Sequence, residues 1–140
     1  MIQTHLGDYK FPGGGVKNRE RFEDALQREI QEETGFVHIQ VKKRIGHVIE
    51  RKLDQYVENT YFQMNSHYYL VELTNFDQVD QQLDNYELEQ QFIPKWVSID
   101  EAINQNELIL TEPNYNGWVK RETEVLKLLR ENYTKILAIQ

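Results

Sequence analysis

Three carboxylates crowd one patch of a helix that should otherwise be packing against a core. Residues 14–36 read GGVKNRERFEDALQREIQEETGF. An apolar stripe of Phe22, Ala25, Leu26 and Ile30 leads into Glu29, Glu32 and Glu33. At 100° per residue the three carboxylates fall within about a 100° arc. Glu29 and Glu33 point almost the same way as Phe22 and Leu26, so they extend the stripe that faces inward. Like charges at i,i+4 repel by roughly 0.2–0.5 kcal/mol even when exposed. Acidic groups near a helix C-terminus also oppose the macrodipole. A divalent cation resolves these conflicts together, because carboxylate oxygens are the donors that Mg²⁺ and Ca²⁺ prefer. A local rule broken without compensation is where function is expected.

The spacing is more specific than the charge. Gly14, five residues, Glu20, seven residues, then Arg28-Glu29-Ile30-Gln31-Glu32-Glu33-Thr34-Gly35-Phe36 fills every fixed position of a pattern that resembles the Nudix box. A chance match at nine positions is on the order of 10⁻⁹ per window from average residue usage, so the resemblance is strong. Gly13, Gly14 and Gly15 allow backbone to approach a ligand closely, and Gly35 suits the residue just past the helix end. Arg28, one turn from both Asp24 and Glu32, is placed to bridge two carboxylates.

The resemblance implies roles. Gly14 would give a carbonyl to the metal shell. Glu29 and Glu33 would bind metal directly, Glu32 would act as a ligand or base, and Glu20 would orient the site or bind a further cation. The catalytic set would be Arg28, Glu32, Glu33 and a loop glutamate ahead of Trp96, with Glu89 preferred over Glu87. Lys10, Gly13, Gly14 and Arg19 would meet substrate phosphate, with Lys17 nearby. Tyr9, Phe62, Tyr68 and Trp118 are candidates to stack on a base, although packing is the commoner use of such rings.

At 140 residues the chain suits one domain over 1–140. Charged residues make up 28% and apolar residues 39%, which is ordinary for a soluble globular protein. No apolar run approaches a membrane span and no signal peptide is visible, so a cytoplasmic location is the default. With no Cys there is no thiol nucleophile and no zinc–thiolate site. The Nudix isomerases, which use a catalytic Cys, are thereby excluded, and no motif of the coenzyme A, NADH or ADP-ribose hydrolases is found. Net charge −7 disfavours a grip on long nucleic acid. It also calls for cations to bring in a phosphate substrate.

The element pattern predicts short strands at Met1–Leu6 and Tyr9–Phe11 and the box helix over about Arg21–Thr34. It then predicts one long strand or two over Val37–Leu53 with a bulge at Gly46, and a strand or hairpin over Thr60–Leu73. A polar loop over Asn75–Gln91 and a strand at Phe92–Val97 follow. Ser98 and Glu101 mark a capping-box helix through about Gln105. A final helix over Gly117–Asn132 shows Val119, Val125, Leu126 and Leu129, and leads to an uncertain tail at 134–140. The class is α+β, and the resemblance implies an α/β/α sandwich with a mixed sheet flanked by helices. Nudix domains carry a further strand before the stretch that Met1–Leu6 resembles, and only 13 residues precede Gly14. The expectation is a sheet lacking its first strand, a strand supplied by another chain in a homodimer, or a native start upstream.

The function implied is Mg²⁺-dependent hydrolysis, with Mn²⁺ able to substitute, of a diphosphate linkage in a nucleotide-type small molecule. The alternatives are a Nudix-fold ligand sensor without turnover and an RNA 5′-end pyrophosphohydrolase.

Overall fold

The computed structural model describes residues 1–54 and 56–138. In chain order the elements are β1 (Ile2–Gln3), β2 (Tyr9–Lys10), α1 (Phe22–Thr34), β3 (Ile39–Leu53), β4 (Tyr61–Leu73), α2 (Asn85–Glu89), β5 (Ile93–Pro94), α3 (Ile99–Ile109) and α4 (Val119–Leu137). The α+β class is as expected. The strands form two antiparallel sheets, β2-β1-β5 and β3-β4, where one mixed sheet was expected. β1 is only two residues long, yet it is the central strand of its sheet, with Ile2 opposite both Lys10 and Pro94.

Alternation along a strand decides what lies on each face of this small sheet. Tyr9 points into a core formed with Ala102 and Ile103 of α3 and Leu126 of α4. The next residue, Lys10, points the other way and meets Glu33 of α1. The sheet thus separates α1 from the α3–α4 pair. Ser98 caps α3 by accepting the Glu101 N–H, one half of the capping box that its sequence pattern predicts, and the helix runs on to Ile109, past the expected end near Gln105. α4 buries Val119, Val125 and Leu126, and it runs on to Leu137 where an uncertain tail was expected.

Asn106 of α3 is fully buried and acts as a surrogate strand for β2. Its Oδ1 accepts the Tyr9 N–H at 2.7 Å and its Nδ2 donates to the Tyr9 carbonyl at 3.0 Å. Main-chain groups that would otherwise be stranded at a buried edge are satisfied.

β3 and β4 are far longer than an average strand and form a two-stranded antiparallel ribbon. Its register slips between Val41 and Lys43 and between Arg44 and Gly46, so a bulge does sit at Gly46. The segment expected to be a plain loop, Asn75–Gln91, contains α2. Asp84 and Glu87 start it with a reciprocal capping box, each main-chain N–H donating to the other's carboxylate at 2.8 Å.

Asn106→Leu keeps side-chain size but leaves both Tyr9 groups without partners. It is expected to destabilise the fold by about 3 kcal/mol in urea unfolding, since each orphaned buried group costs about 1–3 kcal/mol. A change under about 1 kcal/mol would contradict the surrogate-strand role.

Candidate active site

α1 carries the inward stripe that its sequence predicts, with one exception. Ala25, Glu29, Ile30 and Glu33 are buried. Phe22 is 45% exposed and stacks on His67 of β4 at 4.7 Å instead of entering the core. The helix ends at Gly35, whose φ of 79° is left-handed and whose N–H donates to the Gln31 carbonyl. A Cβ at Gly35 would collide with the Val79 carbonyl, so glycine is required there on two counts.

Glu29 and Glu33, one turn apart, meet Glu87 of α2. Each offers an oxygen, and these atoms all lie within 4.8 Å of one another. Glu29 is 8% and Glu33 1% exposed. Glu33 is held on both oxygens: Oε1 accepts Lys10 Nζ at 2.8 Å and Oε2 accepts the Gly13 N–H at 2.9 Å. Burial raises its pKa to about 7, although Lys10 and the Gly13 N–H pull downward; nearby Glu87 adds to the rise. Burial likewise raises Glu87. Desolvation outweighs the ion pair at Glu33 because the group is almost wholly removed from water.

The glycine loop closes directly over this cluster. A Cβ at Gly14 would stand 2.6 Å from the Glu29 carboxyl carbon, so no other residue fits without moving the carboxylate. Beside it Arg28 gathers the remaining acids. Its Nε and Nη2 bind Glu20 at 2.8 and 3.1 Å, and its Nη1 binds Glu29 at 2.6 Å and Glu32 at 3.1 Å. Nη2 also donates to the Gly15 carbonyl at 3.0 Å. The Arg28 hydrogen bond, joined by the Lys17 N–H, draws the Glu20 pKa down to about 2. Arg28 therefore ties helix to loop through Glu20 and the Gly15 carbonyl and pairs with Glu32 within the helix, where Asp24 and Glu32 were expected.

Some expected site residues stand apart. Glu32 is half-buried beside Arg28 and is not one of the three clustered carboxylates. Arg19 is exposed on the loop, with φ 64°. Glu89 is exposed on α2, and Glu87, two residues earlier, takes the place expected for it. Lys10 was expected to face substrate phosphate, and it is buried against Glu33. Of the rings considered for base stacking, Tyr9 is in the core, Tyr68 donates to Glu122, and Trp118 donates to Asp8. Phe62 is exposed on β4. An open cleft lined by Gln3, Tyr9, Glu101 and Gln105 lies on the α3 side of the sheet, away from the carboxylates.

The sign of the pH dependence follows from the raised Glu33 pKa. Between its ordinary 4.5 and about 7 the folded protein holds this proton more than the unfolded chain does. Glu33 therefore favours the metal-free fold fully below the lower value, and that contribution is lost as pH rises through the upper one. Between about pH 5 and about pH 8 the urea midpoint of metal-free Glu33→Gln should fall less than that of the parent protein. Parallel curves for the two would contradict the buried-carboxylate assignment.

Comparison with known families adds an independent line. A family model described as NUDIX domain matches residues 2–120, from β1 to the first turn of α4. A search among curated proteins found no match. The matched span covers most of the chain and contains the glycine loop, α1 and α2 together. The chain belongs to the Nudix family, and it is accordingly a hydrolase acting on phosphorus-containing acid anhydrides.

Proposed function

We propose that this enzyme is a Mg²⁺-dependent pyrophosphohydrolase acting on a nucleotide-type small molecule. The observation that carries the reading is the convergence of Glu29, Glu33 and Glu87 beneath the Gly14 loop. Nudix enzymes use divalent metal cations, and the donor set fits one. All three donors are carboxylate oxygens, they come from two helices, and Lys10 and Arg28 offset only part of the charge they bring together. Hard cations take such ligands, and Mg²⁺ keeps waters and accepts phosphate oxygens as well. Mn²⁺ fits the same donors.

When bound, such a cation would supply positive charge against phosphate oxygens and acidify a coordinated water. The chain's own residues do the rest. Arg28 holds Glu29 and Glu32 in fixed relation to Glu20 and the loop. Glu32 is assigned the proton-accepting role, supported by its half-burial and by having only one oxygen on Arg28. The main chain of Gly13 to Gly15 lets a phosphate approach closely, and Arg19 on the same loop is free to turn toward it.

Net charge −7 supports a small substrate over long nucleic acid. Among the described residues no helix is long and apolar enough to cross a membrane, and a cytoplasmic site of action fits this reading. So does a homodimer, since among the described residues the outer edges of β3 and β4 have no strand partner in the sheet order.

A screen of nucleoside di- and triphosphates and diphosphate-linked conjugates, with Mg²⁺ and scored by phosphate or pyrophosphate release, tests the reading. No turnover of any member, alongside retained ligand binding, would favour a sensor. Preference for triphosphorylated RNA over free nucleotide would overturn the small-substrate assignment. On an active substrate, Glu33→Gln is expected to lower turnover by at least about 10²-fold; unchanged kinetics would exclude its proposed role. Mg²⁺ at about 100 times its Kd should stabilise the fold by about 2.7 kcal/mol. Identical melting in EDTA and in Mg²⁺ would count against the cation site.

A further inference from the structure

The cluster contains a cation of its own. Lys10 stands next to the glycine loop in β2, and strand alternation turns it toward α1 and away from the core that takes Tyr9. Its ammonium is confined on three sides. It donates to Glu33 Oε1 at 2.8 Å and to the Gly13 carbonyl at 3.4 Å, and it lies 4.8 Å from the centre of the Phe92 ring. Its side chain is 10% exposed. A lysine at such a position does not swing freely to a substrate, because leaving would strand a buried carboxylate and uncover the aromatic face. Arg28, another cation nearby, divides its side-chain ion pairs among Glu20, Glu29 and Glu32, none of them reaching Glu33. Glu33 thus depends on Lys10 for its ion pair.

We infer that Lys10 is a fixed positive charge inside the carboxylate cluster and that it weakens and thereby sets the cluster's affinity for divalent cations. The inference rests on the metal-binding reading of Glu29, Glu33 and Glu87. A like charge beside a cation site opposes occupancy, and in a partly buried site it is poorly screened. Lys10 offsets the negative charge of the cluster when no ion is bound and limits how strongly an ion is held when one arrives. This is a positioning and tuning role, distinct from contact with substrate.

The test is a Mn²⁺ titration of metal-free protein, followed by the electron paramagnetic resonance signal of free Mn²⁺. Removing the charge in Lys10→Met should tighten binding by roughly tenfold, the order expected for deleting one poorly screened like charge. Lys10→Gln keeps a donor for Glu33 without the charge and carries the same expectation should the methionine variant fail to fold. Lys10→Arg restores charge and should return the affinity toward that of the parent. Unchanged or weaker binding in the neutral variants, with the parent binding normally, overturns the inference alone. Failure of parent and variants alike to bind Mn²⁺ overturns the metal reading and this inference with it.

Discussion

A carboxylate almost wholly removed from water is the constraint around which this molecule is arranged. Glu33 sits at the last turn of α1, 1% exposed, beside two further acids. Burying an ion is tolerable only when its lone pairs are met and its charge is opposed. The chain meets the first demand with the Gly13 N–H and both demands with Lys10. Those two groups lie on β2 and the loop that follows it, so satisfying Glu33 fixes how α1 docks on the sheet. Gly14 then passes so close to Glu29 that a side chain there would have to displace the carboxylate. Docking of α1 and the geometry of the carboxylate cluster are one requirement here.

The third carboxylate is positioned by a separate set of bonds. The segment before α2 is stitched to the C-terminal end of α1: the Gln82 N–H donates to the Glu32 carbonyl, and the Gln78 amide donates to the Thr34 carbonyl. Helix-terminal carbonyls that lack intrahelical donors are thus satisfied by the loop that delivers Glu87. On its other side α2 rests on Trp118, which meets Tyr86 edge-on at 6.1 Å. Trp118 is itself anchored by Nε1–H donation to Asp8 at 2.8 Å. Asp8 is fully buried and accepts further bonds from Thr4 and Asn116. Residues far apart in sequence, from the first turn to the start of α4, therefore hold a glutamate whose place beside Glu29 and Glu33 its own short capping pattern does not reveal.

That division explains what was legible beforehand. Much that short-range patterns carry was readable: the α1 boundaries, the left-handed Gly35, the inward aim of Glu29 and Glu33, the Ser98 cap and the bulge at Gly46. What depends on pairing across the fold was not. Phe22 continues the apolar stripe on paper, but His67 offers it a stacking partner at the surface. Arg28 prefers Glu20, which the loop brings back to it, over Asp24 one turn away. Lys10 reads as a loop-edge base until the alternation of β2 is fixed. Glu87 and Glu89 are indistinguishable by composition, and the Asp84–Glu87 capping box was the one local signal that α2 exists. The α+β class was accessible from element order, whereas the split into two antiparallel sheets follows from pairings that sequence spacing does not specify.

The most direct measurement is anomalous diffraction from crystals grown with Mn²⁺, collected at an energy where that ion scatters distinctively. The account predicts a peak bounded by carboxylate oxygens of Glu29, Glu33 and Glu87, with Glu89 remaining in solvent. Those three oxygens without an ion between them, and the anomalous peak elsewhere on the molecule, would contradict it.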